Sequence, residues 1–140
     1  MTNEFDPTRL EALARARDVA RAIARDLNDR YQDARGRADE LRRAAALARQ
    51  NAAATAGVAR SSGDHEADRL EAEAETLRDR MADLRVDIDA KNAAAADAGR
   101  LLAACLAFAR EAGLNIPTAL AAEGPAREWM QRAPIAEAAR

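Results

Sequence analysis

His65 is the only histidine in the sequence, and two carboxylates, Asp64 and Asp68, lie near it. On a helix Asp64 and Asp68 are one turn apart on the same face, so they could hold a cation together with His65. Both are also explained as helix-start residues, which cap free amides and complement the helix dipole. A lone histidine in a polar first turn is typical of an exposed residue. The sequence therefore predicts neither a metal site nor a histidine-based catalytic site.

Other candidate catalytic groups are explained by packing or solvation. Cys105 falls on the apolar seam of a predicted helix, where a thiol acts as a small apolar side chain. Glu71, Glu73 and Glu75 are two residues apart, so on a helix they point to different faces and form no carboxylate cluster. The sequence also contains no glycine-rich phosphate loop. We therefore predict that the protein is not an enzyme and has no catalytic residue, cofactor or small-molecule substrate.

Arginines recur every seven residues along one flank of the first predicted helix, at Arg35, Arg42 and Arg49. A row of guanidinium groups can follow a nucleic-acid backbone. Acidic residues are interspersed with this row, namely Asp18, Asp26, Asp29, Asp33, Asp39 and Glu40. Their presence favours a solvated or protein-pairing surface. Nucleic-acid contacts through the three arginines therefore belong to an alternative function.

The segment from Ala109 to Glu123 has the outline of a helix-turn-helix, with Gly113 at the turn and Pro117 opening the second helix. Residues 117–123 contain no Arg, Lys, Asn or Gln that could contact phosphates or base edges. We therefore assign no DNA-reading role to this segment.

Composition indicates an all-α protein built from long helices. Of the 140 residues, 49% are hydrophobic but only 3% are aromatic, and Ala, Leu, Arg, Glu and Asp dominate. So much alanine cannot build a large conventional core. Arginine outnumbers lysine by 21 to 1, which together with the alanine content indicates the codon bias of a GC-rich bacterial or phage genome.

Capping residues predict the helix boundaries. Asp6 followed by Pro7 is typical of a helix start, since the carboxylate caps free amides and proline fits the first helical position. Gly57 is suited to end the first helix, and Asp64 is suited to cap the second. We predict a single all-α domain over 1–140, with a first long helix over 7–56, a turn over 57–63, a second long helix over 64–113 and a short helical tail over 114–140.

Apolar residues recur at alternating three- and four-residue spacing along both predicted helices, which is typical of a coiled coil. In the first helix only Arg17 interrupts the stripe, which consists of Leu10, Leu13, Ala20, Ala24, Leu27, Tyr31, Ala34, Ala38, Leu41, Ala45, Ala48 and Ala52. In the second helix the stripe runs from Ala67 through Leu70, Leu77, Leu84, Ile88 and Leu102 to Ala112. Because the connection is short, the fold predicted is a long antiparallel coiled-coil helical hairpin with one or two short C-terminal helices packed at its open end.

Complementary side chains predict the register of the two helices. With the turn centred near residue 60, facing residues have numbers that add up to about 122. Large residues then face small ones, Arg49 lies near Glu71, and Arg37 lies near Asp87. Residues 1–56 carry a net charge of +2 and residues 57–113 one of −4, which also favours pairing of the helices. A slip of one heptad is a poorer but plausible match.

Near the open end the apolar stripe is wider than two helices need, at Ala16, Val19, Ile23, Leu101, Leu106 and Phe108. We predict that the tail folds back over this end through Leu114, Ile116, Leu120, Trp129 and Met130. An alanine-rich seam buries little apolar surface, so we also expect the helices to pack against another copy or a partner.

No stretch of about 18 apolar residues is present, and the N-terminal residues lack the pattern of a signal peptide. The single Cys105 cannot form an internal disulfide. We therefore expect no membrane partner, and a location in the cytoplasm or within a phage particle.

These observations favour a non-enzymatic structural or interaction protein, which acts as a subunit, adaptor or assembly factor of a larger complex by homo-oligomerisation or through a protein partner. Its candidate partner contacts are Arg60, His65, Phe108, Trp129 and Met130. One alternative is a dimeric nucleic-acid-associated regulator that uses Arg35, Arg42 and Arg49. A second is a small inhibitor that docks its acidic second helix, including Glu71, Asp79 and Asp83, onto a basic protein groove.

Overall fold

The computed structural model describes residues 6–122. In this part of the chain the regular structure is entirely helical, with α1 over Pro7–Ala53, α2 over Val58–Glu111 and α3 over Thr118–Ala121. The two long helices pack against each other, as the predicted all-α helical hairpin requires. None of the helices within residues 6–122 has a stretch long and apolar enough to cross a lipid bilayer.

Asp6 caps the first turn of α1. Its carboxylate accepts hydrogen bonds from the hydroxyl of Thr8 at 2.6 Å and from the backbone N–H of Thr8 at 3.0 Å. Both bonds favour the charged form of the carboxyl and so lower the pKa of Asp6, the hydroxyl bond most strongly. Pro7 follows at the first helical position, where its missing N–H leaves no bond unmade. The predicted helix start is confirmed.

The connection between the long helices is shorter than predicted and lies earlier in the chain. α1 ends at Ala53 and α2 begins at Val58, so the predicted turn over 57–63 and the predicted second-helix start at 64 are wrong. Gly57 has a φ of 71°, a left-handed conformation that glycine adopts without strain. The polar residues after it are helical, since serine in a helix costs only about 0.5 kcal/mol relative to alanine. Asp64 therefore lies inside α2 and does not cap it.

Gly63 is a helical residue of α2 that lies directly against α1. A Cβ built on Gly63 would be 2.7 Å from the Cβ of Ala52 and 3.5 Å from the carbonyl oxygen of Ala48. The numbers of the facing residues Gly63 and Ala52 add up to 115, whereas the predicted register requires about 122. The true register is therefore shifted by about one heptad, because α2 begins earlier than expected.

The described chain divides into two compact units, of which one comprises residues 23–91. Most of the buried residues of this unit have small side chains. Its buried hydrophobic residues are Ala24, Ala34, Ala38, Leu41, Ala45, Ala52, Ala67, Ala74, Leu84 and Ile88. Alanine predominates among them, so these buried positions contribute less free energy than a core of large side chains would.

The other unit comprises residues 6–22 together with 92–122 and contains a core of larger side chains. Leu10, Leu102 and Leu106 are fully buried in it. Leu120 of α3 belongs to the same cluster, and Ile116 packs against it. The tail thus covers part of this unit as predicted, although Trp129 and Met130 lie outside the described residues.

The end of α2 directs the chain into this core. α2 ends at Glu111 in a Schellman motif, in which the N–H of Leu114 donates to the carbonyl of Ala109 at 2.9 Å. The N–H of Gly113 completes the motif by donating to the carbonyl of Arg110 at 3.2 Å. Leu114, just beyond, is half-buried.

Arg17, which interrupts the apolar stripe of α1, is accommodated by a glycine on α2. The Arg17 side chain is only 13% exposed, and its Cδ lies 3.7 Å from the position that a Cβ of Gly99 would occupy. The Nε of Arg17 donates to the carboxylate of Asp18 at 3.0 Å. The aliphatic part of Arg17 therefore packs between the helices while its charged end is satisfied.

Candidate interaction surfaces

Arg60 and His65, predicted as partner contacts in a turn, lie instead in the first turns of α2. Both are exposed, and they line one open depression together with Gly57, Ser61, Asp64 and Asp68. The structure therefore brings the two predicted contacts together on a helix. Three His, Cys, Asp or Glu side chains arranged to hold a metal ion occur nowhere in residues 6–122.

Arg49 of α1 is held by two carboxylates of α2. Its Nε and one terminal nitrogen donate to Glu71 at 3.0 and 2.8 Å, and the same terminal nitrogen donates to Asp68 at 2.7 Å. The bonds with Glu71 raise the pKa of Arg49 and lower the pKa of Glu71, because each group stabilises the charged form of the other. The predicted contact between Arg49 and Glu71 is confirmed. Since its charge is matched twice within the chain, Arg49 is poorly suited to bind a nucleic acid.

The other two arginines of the predicted row remain available. Arg42 contacts Asp39 only at 4.0 Å. Arg35 is exposed, and it forms no ion pair with any carboxylate of residues 6–122. Neither residue is held by a close ion pair, and their contact with a nucleic acid stays a prediction.

Two arginines of α2 were missed by sequence reasoning. Arg78 and Arg85 follow Glu71 at seven-residue intervals, so they occupy the same flank of α2 as Glu71. Arg78 contacts Glu75 and Arg85 contacts Asp89, both at 3.7 Å. The seven-residue spacing was visible in the sequence, but only the contact of Arg49 with Glu71 identifies the flank that these arginines share.

Two further predicted features of the charged surface differ in the structure. Arg37 does not pair with Asp87, because the register is shifted, and its guanidinium lies 3.6 Å from the carboxylate of Glu40 on its own helix. The acidic residues expected to dock on a basic groove, Glu71, Asp79 and Asp83, are all exposed, but Glu71 is bound by Arg49.

Large apolar side chains are exposed in the unit formed by residues 6–22 and 92–122. The exposed fraction is 62% for Phe108, 57% for Leu101 and 52% for Val19. Ala16 and Ala104 are exposed as well, whereas Leu106 is in the core. Exposed aromatic and leucine side chains one heptad apart are typical of a contact surface. Phe108 therefore has the exposure that its predicted role as a partner contact requires.

The sequence matches no model of a known protein family, no curated protein and no solved structure. Two of the surfaces described above differ in chemistry: large apolar side chains are exposed in residues 6–22 and 92–122, and arginines are exposed in residues 23–91.

Proposed function

We propose that this protein is a non-enzymatic structural or interaction protein, an antiparallel coiled-coil hairpin that serves as a subunit, adaptor or assembly factor of a larger complex. Its first partner is a second copy of the chain. The observation that carries the proposal is the exposure of Phe108 and Leu101 on α2, because such side chains gain free energy when a partner covers them.

Contacts within one unit support the antiparallel coiled coil. In residues 23–91, Ala52 meets Gly63 and Arg49 reaches Glu71, so residue numbers rise along α2 as they fall along α1. The buried residues Ala34, Ala38, Leu41 and Ala45 follow the alternating four- and three-residue spacing of a coiled-coil seam.

The exposed apolar residues share one side of such a pair. Each heptad has two seam positions, a and d, and the position just before a lies on the same flank of both helices when the helices are antiparallel. Ala16, Leu101 and Phe108 occupy these positions, and Val19 and Ala104 lie beside them on the outer surface. We call these five residues the apolar flank. It is a continuous surface that a second hairpin can cover to form a four-helix bundle.

Covering the exposed apolar side chains offsets a large part of the cost of association. Full burial of a large apolar side chain contributes roughly 1.5–3 kcal/mol. Val19, Leu101 and Phe108 are 52–62% exposed on each copy, so covering them gains about half of this amount for each side chain. Their combined burial offsets part of the about 4–15 kcal/mol that association costs in lost freedom. The surrounding alanines allow close approach of the helices without adding bulk.

Light scattering over a range of protein concentrations tests the proposal. We expect a mass that is a multiple of the 15.0 kDa chain, and a loss of association in the variant Phe108→Asp. Val86→Asp is the matched control, because Val86 is exposed on α2 but lies outside the apolar flank. Circular dichroism establishes that both variants are folded. A wild-type protein that is monomeric at every concentration, or a Phe108→Asp variant with wild-type mass, contradicts self-association.

A further inference from the structure

We propose that residues 23–91 carry a groove that binds the phosphodiester backbone of a nucleic acid, lined by Arg35 and Arg42 of α1 and by Arg78 and Arg85 of α2. We call these four residues the arginine groove. The proposal does not rest on self-association through the apolar flank, because the two surfaces share no residue.

The contact between Arg49 and Glu71 sets the register on this flank. One heptad further along, the equivalent positions hold Arg42 on α1 and Arg78 on α2, and a second heptad brings Arg35 and Arg85 to equivalent positions. A helix rises 1.5 Å per residue, so the two arginine pairs are spaced about 10 Å apart along the helices. The axes of packed helices are about 8–10 Å apart, so the two guanidinium groups of a pair can reach one anion between them.

The hairpin itself gains nothing from this arrangement. Flanking positions of a coiled coil usually carry opposite charges, as Arg49 and Glu71 do, and like charges at such positions are destabilising. Here two consecutive heptads carry arginine on both helices. A phosphate between two guanidinium groups removes the repulsion and accepts their hydrogen bonds in the geometry that arginine favours.

Acidic side chains also line this flank: Glu71 and Glu75 share a depression with Arg42, and Glu71 is engaged by Arg49. Asp39, Glu75 and Asp89 lie at 3.7–4.0 Å from Arg42, Arg78 and Arg85, respectively, which is beyond hydrogen-bond distance. The side chains of Arg42, Arg78 and Arg85 are 40–64% exposed. Ion pairs between exposed groups contribute only about 0–1 kcal/mol, so phosphate oxygens can replace these carboxylates. Arg49, by contrast, is engaged at 2.7–3.0 Å and is not part of the groove.

The surroundings of the groove favour nucleic acid over an acidic protein. Protein interfaces depend on a few aromatic or large apolar anchors. The uncharged side chains on this flank are Gln32, Ala46 and Ala82, none of which can serve as such an anchor. Attraction of charge without an anchor is the mode in which proteins bind a phosphate backbone independently of sequence.

The test measures binding of the full chain to a fluorescein-labelled single-stranded DNA of mixed sequence by fluorescence anisotropy at several salt concentrations. If four arginines each neutralise one phosphate, a plot of log Kobs against log salt has a slope of about −3 for a single strand. Arg35→Ala combined with Arg78→Ala removes one arginine from each pair. This variant should bind at least about tenfold more weakly at low salt, with a slope near half the wild-type value.

A second double variant separates the groove from net charge. Arg30→Ala with Arg37→Ala removes two exposed arginines of the same unit that are outside the groove. This variant should retain affinity to within about threefold and keep the wild-type slope. Equal losses in the two double variants would overturn the groove, because binding would then follow net charge alone. Both variants are examined by circular dichroism to establish that they are folded.

Two further measurements complete the test. Poly-glutamate that displaces the strand as well as unlabelled DNA does, per unit of charge, would overturn the assignment in favour of an acidic protein. Absence of binding to both the single strand and the matching duplex at low salt would also overturn it, whereas binding to either supports it. The Phe108→Asp variant should bind DNA like the wild type, so failure of this proposal is distinguishable from failure of self-association.

Discussion

Gly63 of α2 lies so close to Ala52 of α1 that a Cβ on Gly63 would be 2.7 Å from the Cβ of Ala52. A glycine inside a helix normally costs about 1 kcal/mol relative to alanine. At this position the cost is offset by the close approach of the two helices, which a side chain would prevent. Gly36 is also helical, but nothing lies within 4 Å of the position that its Cβ would occupy.

Alanine should therefore have opposite effects at these two glycines. Gly63→Ala should lower the free energy of unfolding by about 1–2 kcal/mol, because overpacking outweighs the gain in helix propensity. Gly36→Ala should raise the free energy of unfolding by about 0.5–1 kcal/mol. Thermal denaturation followed by circular dichroism measures both. Shifts of Tm in the same direction would contradict the close contact at Gly63.

Gly57 should be sensitive to substitution for a different reason. Its φ of 71° is left-handed, and there is open space around the position of its Cβ. Gly57→Ala should cost about 1–2 kcal/mol through backbone strain alone. Gly57→Asn should cost less, because asparagine tolerates this conformation better. Urea denaturation measures the free energy of unfolding of the two variants. If asparagine lowers it as much as alanine or more, backbone strain is not the cause.

Arg49→Ala should raise the pKa of Glu71 toward its ordinary value, because the hydrogen bonds from Arg49 are the main cause of its lowering. In the wild type, the folded-state pKa of Glu71 lies below the unfolded-state pKa. Its contribution to stability is therefore complete above the unfolded-state pKa and is lost as the pH falls through the folded-state pKa. An NMR titration of the Glu71 carboxyl measures the change.

Arg69→Ala is the control for this titration. Arg69 donates to Glu66 on the same helix at 2.6 Å, so its removal takes away a comparable ion pair without touching the one between the helices. The pKa of Glu71 should stay low in this variant. A Glu71 pKa that responds equally to both substitutions would mean that general charge, and not the contact with Arg49, controls it.

Leu106→Ala should be among the most destabilising single substitutions in the described chain. Leu106 is fully buried with Leu10 and Leu102, and truncation of a buried leucine typically costs about 2–5 kcal/mol. Leu47→Ala is the control, because Leu47 is exposed and its truncation should change stability by no more than about 0.5 kcal/mol. Urea denaturation of both variants provides the comparison. A loss below 1 kcal/mol for Leu106→Ala would contradict its place in the core.

The helical pattern could be predicted because it depends on local chemistry. Asp6 and Pro7 mark the start of α1 through hydrogen bonds within a few residues, and apolar spacing predicts both long helices. The contact of Arg49 with Glu71 was predicted correctly from a register that is wrong by a heptad. The contact forms nevertheless, because flanking residues pair at a higher sum of residue numbers than seam residues do. The numbers of Arg49 and Glu71 add up to 120, whereas those of the seam residues Ala52 and Gly63 add up to 115.

The remaining features depend on contacts between distant segments. A glycine in a sequence can serve a turn or a close approach, and Gly63 was assigned to a turn although it packs against α1. The role of Gly99 likewise cannot be predicted from the sequence, because it depends on the position of Arg17 beside it. The arginine groove can be recognised only when both helices are placed in their true register. The sequence therefore indicated only the arginines of α1.

The distribution of large side chains has a consequence for how the protein opens. The fully buried residues Leu10, Leu102 and Leu106 belong to one unit, whereas the buried residues of the other unit, 23–91, are mostly alanine. Transient opening should therefore be more frequent around Ala45 and Ala74, and amide hydrogens there should exchange with solvent about tenfold faster for every 1.4 kcal/mol of difference in local stability. Native-state hydrogen exchange should show that the hairpin opens first near the connection between α1 and α2.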